Sequence, residues 1–393
     1  MAKETKQLVV GLDIGTSKVV ALVAEIRADG SLEVLGMGSH ESKGLKKGVV
    51  VNIESTVNAI QRALEEAELM ADCKIASVFT GIAGSHIKSF NSTGMVAIKD
   101  REVTALDVDR VLETARAVNI PTDQQILHVL RQEYIIDGQE DVREPIGMSG
   151  VRLEVKVHIV TGAVSSAQNI VKCVRRCGLE VNDLILQPLA SSRAVLSDDE
   201  MDLGVCLVDI GGGTTDIAIF THGAIRHTAV IPIAGDQITN DIAMALRTPT
   251  PDAEAIKIRH GVALRQLADA NEMVEVPGIG ERAPRMMSRQ TLAEVIEPRV
   301  EELLSSGVVL TGGSATMQGM VELGEEIFHM PVRIGLPVYS GGLADVVRNP
   351  RYATAMGLLL EGAEQIGEGQ VMRQGGSIKA VLARMREWFQ RNF

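Results

Sequence analysis

The stretches GLDIGTSK at residues 11–18 and VDIGGGTTD at residues 208–216 decide the fold. Each follows one apolar run and precedes another, which predicts a strand, a glycine-rich turn and a second strand. Glycines let backbone N–H groups approach a phosphate, and nearby serine and threonine hydroxyls add donors. Asp13 and Asp209, one beside each turn, can hold Mg²⁺ through its water shell. A lone turn of this kind often only reverses the chain, but two matched turns predict one phosphate-binding turn in each of two domains.

Composition limits the class of protein. With 393 residues the chain is long enough for two or more domains. The net charge of −12 and the aromatic content of 3% argue against nucleic acid as a partner. Four cysteines without paired metal-ligand spacing are typical of buried positions in a reducing compartment. Because no run reaches the roughly 18 apolar residues of a membrane span and the first residues are polar, we expect a cytosolic body with peripheral membrane contact only.

Residues 85–163 interrupt an alternating order of strands and helices. Thr104 and Asp107 form a capping-box pattern, which predicts the start of a helix. Apolar and polar residues alternate over residues 151–160, which predicts a half-exposed strand. One helix among several strands indicates a small α+β insertion.

Two further features lie in the second half of the chain. A third strand and glycine turn ends at Gly312 and Gly313. Before it, Glu254 and Lys257 lie one turn apart on a predicted helix. Taken alone, these two residues are most simply a solvated ion pair.

The C-terminal residues 377–393 carry a separate signal. Apolar residues recur at helical spacing on one face, basic residues occupy much of the rest, and the only tryptophan of the chain is among them. Residues 361–376 are rich in Gly, Glu and Gln, which predicts a flexible linker. Together they are typical of a helix that lies in a membrane surface, where anionic lipid adds about 1 kcal/mol per basic residue. The alternative is a helix packed on the protein's own body. The predicted membrane residues are Ile378, Val381, Leu382, Met385, Trp388 and Phe389, with Lys379, Arg384 and Arg386.

The two turns resemble the phosphate-1 and phosphate-2 motifs of the actin, Hsp70 and sugar-kinase superfamily, and the turn at Gly312 resembles its adenosine motif. In segment order and tail, the whole chain is similar to the FtsA family of bacterial cell division proteins. The resemblance implies an α/β, actin-like two-domain ATPase fold with an α+β inserted subdomain (1C) and a C-terminal amphipathic helix. It also implies ATP and Mg²⁺ in the cleft between the domains. The residues that would contact nucleotide are Asp13, Gly15, Thr16, Ser17, Lys18, Asp209, Gly211, Gly212, Gly213, Thr214, Glu254, Lys257, Gly312 and Gly313, with Mg²⁺ held through water by Asp13 and Asp209.

The same resemblance implies a division of the chain. The first domain begins with subdomain 1A, leaves it for 1C and returns to it. The second consists of subdomains 2A and 2B. The expected segments are 1–84 (1A), 85–165 (1C), 166–200 (1A with the first connecting helix), 201–235 (2A), 236–304 (2B), 305–345 (2A with the adenosine motif), 346–360 (second connecting helix), 361–376 (linker) and 377–393 (membrane-targeting helix).

Hydrolysis of ATP needs a group that orients or deprotonates water. Gln187, which precedes Pro188, and Asp209 are the candidates. Because glutamine orients water but is a poor base, we expect a scaffold with slow hydrolysis at most. A sugar kinase would also need a general-base aspartate and a sugar pocket, which the sequence does not indicate.

The FtsA resemblance implies a protein that polymerises and tethers FtsZ filaments to the cytoplasmic face of the cell membrane at the division septum. The implied partners are the C-terminal peptide of FtsZ, further copies of the chain, anionic lipid, and other division proteins bound through 1C. Arg299 in 2B is the candidate for the FtsZ contact. Residues 300–306 form a shorter connection than the family pattern has, so the resemblance does not fix the geometry around Arg299. The alternatives are an ATP-dependent kinase or phosphatase of the superfamily and a pilus-assembly actin homologue.

Overall fold

A computed structural model describes residues 7–280, 282–304 and 309–374 of the chain. It contains two five-stranded sheets with the same topology and a four-stranded sheet inserted in the first half. The elements of the first half are β1 (Leu8–Ile14), β2 (Lys18–Ile26), β3 (Leu32–Glu41), β4 (Leu45–Lys46), β5 (Val49–Val50), α1 (Ile53–Ala71), β6 (Ser77–Ile82), then the insertion β7 (Lys88–Ala97), α2 (Ala105–Arg116), β8 (Gln124–Ile136), β9 (Gln139–Val142) and β10 (Arg152–Ala163), and finally α3 (Val164–Arg176), β11 (Glu180–Leu186) and α4 (Gln187–Val195).

The second half repeats the opening meander and ends in a long helix. Its elements are α5 (Asp198–Leu203), β12 (Val205–Ile210), β13 (Thr215–Thr221), β14 (Ala224–Ile231), α6 (Gly235–Leu246), α7 (Thr250–His260), β15 (Met273–Val276), β16 (Arg285–Ser288), α8 (Arg289–Leu303), β17 (Val309–Thr311), α9 (Met320–Phe328), β18 (Arg333–Ile334), α10 (Ala344–Val347) and α11 (Ala353–Gln374).

The two large sheets are built alike. Their strand orders are β11-β6-β1-β2-β3 and β14-β13-β12-β17-β18. In each, the central strand pairs antiparallel with the strand that follows its glycine turn and parallel with a later strand. The duplication predicted from the two turns is therefore present in the topology.

Both faces of the first sheet are covered by helices. Val10, Leu12 and Ile14 of β1 pack in a core with α1 and α3, whereas Val9 packs in a core with α4 and α11. This arrangement explains why β1 is a nearly continuous apolar run rather than an alternating one. Residues of β12 and β13 share that second core, so α4 and α11 pack against both large sheets.

The insertion is a sheet in the order β7-β10-β8-β9 with one helix on it. Thr104 caps α2 and forms the predicted capping box with Asp107. Along β10, Leu153, Val155 and Val157 are fully buried. The predicted helix start in the α+β insertion is confirmed. The predicted half-exposed strand is confirmed only for its first part, because every residue from Val157 to Gly162 is buried.

A buried polar contact joins the insertion to the second half. His158 on β10 lies 2.7 Å (Nδ1) from Asn91 Oδ1 and 2.9 Å (Nε2) from Thr228 Oγ1 on β14. Gln132 Nε2 donates to the carbonyl of Ile225, also on β14, at 2.9 Å. Burial, with a smaller effect of the nearby His227 charge, lowers the pKa of His158 to about 4, so its ring is neutral at physiological pH.

The predicted flexible linker is wrong over residues 361–374, because α11 continues through them to Gln374. Tertiary contacts explain the difference. Gln365 Nε2 donates to Asp183 Oδ2 at 3.0 Å, and Ile366 packs against the core that contains α4. These contacts outweigh the low helix propensity of the glycines.

Candidate functional site

A cavity of about 540 Å³ lies where the turns of the two large sheets meet. Sites for small molecules and cofactors commonly have about 300–1,000 Å³. The structure brings together at this cavity every residue that the sequence predicted to contact nucleotide, magnesium or water: Asp13, Gly15, Thr16, Ser17, Lys18, Gln187, Asp209, Gly211, Gly212, Gly213, Thr214, Glu254, Lys257, Gly312 and Gly313.

The two glycine-rich turns have the same hydrogen bond. Gly15 N donates to Lys18 O at 3.0 Å, and Gly211 N donates to Thr214 O at 3.0 Å. Each turn is thus closed in the same way, and the donors it does not use itself are available to a ligand.

The turns also touch each other. A Cβ atom on Gly212 would overlap Ser17 Oγ, and one on Gly213 would lie 2.6 Å from Thr16 Oγ1. The backbone of the second turn therefore approaches the first as closely as glycine allows. Such a close approach of two N–H-rich turns suits an anion held between them.

Three aspartates are buried at this cavity. Burial raises the pKa of Asp13 from 3.8 to about 7; the Lys18 charge opposes this shift and Asp209 adds to it. Burial, with the Asp209 and Asp13 charges, raises the pKa of Asp216 to about 8. Burial likewise raises the pKa of Asp209, although hydrogen bonds from Ser191 and Thr354 oppose the shift. In the ligand-free protein, burial therefore opposes the ionisation of all three carboxyl groups.

Magnesium fits this set of residues. Asp216 Oδ1 is buried with no hydrogen-bond partner, and a cation would offset the cost of ionising the three carboxylates. In the described ranges, no group of three or more His, Cys, Asp or Glu side chains is arranged to hold a metal. The fit is thus to Mg²⁺ that keeps most of its waters and meets phosphate oxygens, with Asp13 and Asp209 holding the waters.

Lys18 is tied to the end of the chain that leads into α11. Its Nζ donates to Arg351 O at 2.8 Å and lies 4.2 Å from the centre of the Tyr352 ring. Burial lowers the pKa of Lys18 to about 8; Asp13 opposes the shift, and Arg351 adds to it. Lys18 therefore joins the first turn to the residues that lead into α11, as well as lining the cavity.

Asp209 connects β12 to both connecting helices. Its carboxylate accepts hydrogen bonds from Ser191 Oγ on α4 and, at 3.2 Å, from Thr354 Oγ1 on α11. The two hydroxyls lie 3.0 Å apart. A shift of Asp209 would therefore act directly on α4 and α11 where these two helices meet.

Gln187 begins α4 at the wall of the cavity. Its Nε2 donates to Asp13 Oδ1 at 3.1 Å, which fixes the amide with its oxygen free to accept from another group. The side chain is thus placed to orient a water near the first turn, but it cannot accept the proton of that water as a base would.

Glu254 and Lys257 are more than a solvated pair. Lys257 is only 8% exposed, and its Nζ donates to Gly235 O at 3.1 Å and Thr239 Oγ1 at 2.8 Å. It also pairs with Glu254 Oε2 at 2.7 Å. Since Gly235 N donates to Gly211 O, the buried Lys257 supports the second turn through Gly235.

The third glycine turn adjoins the second. Gly312 has a φ of +87°, and a Cβ atom there would overlap Asp209, so this position requires glycine. Ser314 Oγ donates to Gly211 O at 3.0 Å. The part of the cavity predicted to hold the base is thus built onto the part predicted to hold the phosphates.

Sequence reasoning missed several residues at the site. Asp216 lies within the quoted second turn, but the pattern there emphasised glycines and hydroxyls. Ser191, Thr354 and Arg351 carry no local motif, because their role depends on where the two connecting helices cross. No signal short of the packing itself could have found them.

Arg299 lies away from the cavity, on α8. It is half-buried, and its Nε and Nη2 donate to the two carboxylate oxygens of Asp241 on α6 at 2.7 and 3.3 Å. It also pairs with Glu302. The guanidinium is therefore engaged by α6 and by its own helix. The predicted membrane residues 378–389 lie outside the described residues. Within the described ranges, none of the helices combines the length and hydropathy of a membrane-spanning segment.

We predict that the effect of magnesium on nucleotide-dependent stability rises with pH. The folded-state pKa of Asp13 is raised to about 7, so ionisation of Asp13 lowers the stability of the ligand-free protein as pH rises from about 4 to about 7. Below about pH 7 a cation must displace the proton of Asp13, whereas above about pH 7 the carboxylate is already ionised. The difference in melting temperature between ATP with Mg²⁺ and ATP with chelator should therefore be larger near about pH 8.5 than near about pH 6.

A variant of Asp13 distinguishes titration of the protein from titration of the nucleotide, because phosphates also titrate near about pH 6. Asp13→Asn should flatten the pH dependence that Asp13 contributes. An identical magnesium increment at both pH values for the unaltered protein would contradict this assignment.

Solved structures show the same architecture. The structure of the PilM-PilN type IV pilus biogenesis complex matches with a TM-score of 0.66 at 16% identity, over 90% of this chain and 98% of that one. The structure of MreB5 of Spiroplasma citri bound to ADP matches with a TM-score of 0.53 at 16% identity, over 95% of this chain and 100% of that one. At such low identity the likeness shows the fold alone. The fold and the paired turns define an actin-like protein.

Sequence comparison places the chain more closely. Residues 206–357 match the family described as cell division protein FtsA, and residues 84–161 match the SHS2 domain inserted in FtsA. The cell division protein FtsA of Pseudomonas aeruginosa is 61% identical over 413 positions, covering 99% of both chains. That of Escherichia coli is 48% identical and covers 100% of both. The chain belongs to the FtsA family of cell division proteins. The α/β actin-like fold with an inserted domain, expected from the sequence, is thereby confirmed.

Proposed function

We propose that the protein binds ATP, polymerises, and tethers FtsZ filaments to the cytoplasmic face of the cell membrane at the division site. ATP binding is proposed because both phosphate turns and the third glycine turn line one cavity. FtsA family membership supports the role in cell division. The assignment of residues 85–165 to subdomain 1C and of 236–304 to 2B belongs to this proposal.

In this proposal the phosphates lie between the two turns, near the backbone N–H groups of Gly15, Gly212 and Gly213. Glu254 faces the ribose, and Lys257 donates hydrogen bonds to the N-terminal part of α6. Gly312 and Gly313 border the adenine. Asp13 and Asp209 would hold the waters of Mg²⁺, which would supply positive charge to offset that of the phosphates. The likeness in fold to MreB5 structures bound to ADP and to AMPPNP supports a nucleotide as the ligand.

The protein acts as a scaffold with slow hydrolysis. Gln187 can orient a water through its free oxygen, but an amide is a poor base. Asp209 is committed to Ser191 and Thr354, which tie it to the connecting helices. ATP would therefore act mainly by holding the two halves together, which favours the conformation able to polymerise.

The proposed membrane tether depends on many weak lipid-binding tails joined in one filament. Head-to-tail contacts need not close on themselves and so allow a filament. One amphipathic tail per subunit becomes a firm anchor when many subunits are joined. Other division proteins would bind through the inserted subdomain. The kinase and pilus-assembly alternatives have less support, since the full-length relatives at 61% and 48% identity are cell division proteins.

The test is vesicle sedimentation of the full chain, with anionic and with neutral lipid, in the presence and absence of ATP and Mg²⁺. The proposal predicts pelleting with anionic vesicles that increases with ATP. No pelleting of the ATP-loaded protein with anionic vesicles would sink the membrane part, and no ATP binding by calorimetry would sink the nucleotide part.

We predict that Arg299→Glu weakens binding of the FtsZ C-terminal peptide about tenfold or more, or about 1.4 kcal/mol. The reversed charge would repel an acidic group of the peptide and would also face Asp241 and Glu302. Fluorescence anisotropy with a labelled peptide at low salt measures the affinity.

Asp241→Asn is the matched control, because it weakens the internal pair but keeps the guanidinium. If Arg299 contacts the peptide, this control should bind as well as the unaltered protein. Equal losses in both variants would show that α6–α8 packing, not the charge, matters. Unchanged binding of Arg299→Glu would remove Arg299 from the site.

A further inference from the structure

The segment between β18 and α11 presents four exposed apolar side chains. They are Leu336, Val338, Leu343 and Val346, with exposures of 42%, 75%, 37% and 42%, and are called the exit patch below. The backbone beneath them is held in place. Tyr339 accepts a hydrogen bond from Val34 N at 2.7 Å, and Val347 is fully buried in the core. The patch is therefore a fixed surface rather than a loose loop.

The exit patch lies where α11 leaves the body. Val338 N donates to Ala194 O at the end of α4, at 2.8 Å. The preceding residue, Arg193, pairs with Glu361 at 3.5 Å and with Glu364 on α11. Helix α11 thus passes the patch near Glu364 and continues for about 15 Å to Gln374.

More exposed acids than bases occur near the patch, where Arg348 is the exposed base of the same segment. Asp345 is exposed within it, and Asp198 and Asp199 are exposed on α5, which directly follows α4. Glu200 and Asp202 of the same helix are instead paired, with Arg333 and Arg143. The surface is therefore apolar with acidic residues beside it, and it fits a segment that is apolar on one face and basic on the other.

The chain's own C-terminal segment has this character. Residues 377–393 carry an apolar face that includes Trp388, together with four basic residues and one acid. Two glycines, Gly375 and Gly376, separate Gln374 from this segment, and short glycine-containing connections join antiparallel helices. A helix of 17 residues spans about 25 Å, enough to run back along the end of α11 to the patch.

We propose that residues 377–393 dock on the exit patch when the protein is off the membrane, so that the body and the lipid surface compete for one helix. The proposal rests on the proposed function, since it describes how the membrane anchor is held back. A docked tail is unavailable to lipid, so the apparent membrane affinity equals the intrinsic affinity multiplied by the undocked fraction. A filament near a membrane, where many tails meet lipid at once, would shift the competition toward the membrane.

The only tryptophan of the chain, Trp388, reports on the tail directly. The experiment measures acrylamide quenching of its fluorescence in the full-length protein without vesicles, and then the apparent affinity for anionic vesicles. Val338→Lys removes apolar contact and repels the basic tail. Leu69→Lys, at a site that is 85% exposed on α1 across the sheet, is the matched control. Val338→Lys should raise the quenching constant about twofold and vesicle affinity about threefold, and the control should change neither.

Three results would overturn the proposal. The first is an acrylamide quenching constant for Trp388 in the unaltered protein that equals the constant in a free tail peptide. Another is protection that Val338→Lys leaves unchanged, which places the tail elsewhere. The third is protection that disappears on dilution, which assigns the tail to a second copy. Failure of the membrane-anchor proposal would give a different result. Trp388 would then be protected from acrylamide, Val338→Lys would reduce that protection, and no variant would pellet with vesicles.

Discussion

Replacing Gly212 with valine is expected to lower ATP affinity at least tenfold, or by about 1.4 kcal/mol or more. A Cβ atom at this position would overlap Ser17 Oγ of the opposite turn and lie 3.3 Å from Asp236 Oδ1. The valine must therefore push the two turns apart. Separated turns cannot both present their N–H groups to one polyphosphate, so the loss falls on binding more than on folding.

Calorimetric titration with ATP and Mg²⁺ measures this effect, and thermal melting without nucleotide checks the fold. Two further variants make the result specific. Gly367→Val is the control, since a Cβ there meets nothing within 4 Å. Ser17→Gly combined with Gly212→Val should recover part of the affinity relative to Gly212→Val alone, because the overlap is with the Ser17 side chain. Unchanged ATP affinity of Gly212→Val would show that this turn is not the phosphate cradle.

Trp388→Glu should release the monomeric protein from anionic membranes almost completely. Burial of a large apolar side chain in the interface contributes roughly 1.5–3 kcal/mol, and the substitution also places an acid against anionic lipid. Polymers should retain some binding, because weak sites add along a filament. Co-sedimentation with vesicles below and above the polymerisation concentration measures both.

A charge-reversed variant provides the comparison. Arg384→Glu with Arg386→Glu should weaken binding to anionic vesicles strongly and to neutral vesicles little, since it acts through charge. Trp388→Glu should weaken both. If Trp388→Glu instead lowers the melting temperature while the unaltered protein never pellets with vesicles, the tail is a structural part of the body and not an anchor.

Local patterns predicted what local chemistry decides. The two glycine turns could be located in the sequence because strand, turn and strand follow one another within about a dozen residues, and phosphate binding at such turns uses backbone groups. The capping box at Thr104 was readable for the same reason, since its partners are three residues apart. Such features do not depend on distant parts of the chain.

The remaining parts of the site depend on packing. Ser191 and Thr354 are 163 residues apart and meet at Asp209 only because α4 and α11 cross there. Arg299 carries a motif-like context, yet its pairing with Asp241 joins two helices 58 residues apart. Residues 361–374 read as a linker from composition, but contacts to Asp183 and to the core make them helical. In each case a tertiary contact outweighed the local pattern.

Sedimentation of FtsZ filaments with anionic vesicles shows whether the protein carries FtsZ to a membrane. FtsZ is expected to pellet with vesicles only when the full-length chain, ATP and Mg²⁺ are present, and a chain lacking residues 377–393 should leave FtsZ in solution. FtsZ that pellets equally well with the shortened chain, or a full-length chain that binds FtsZ yet never carries it to the vesicles, would contradict the account.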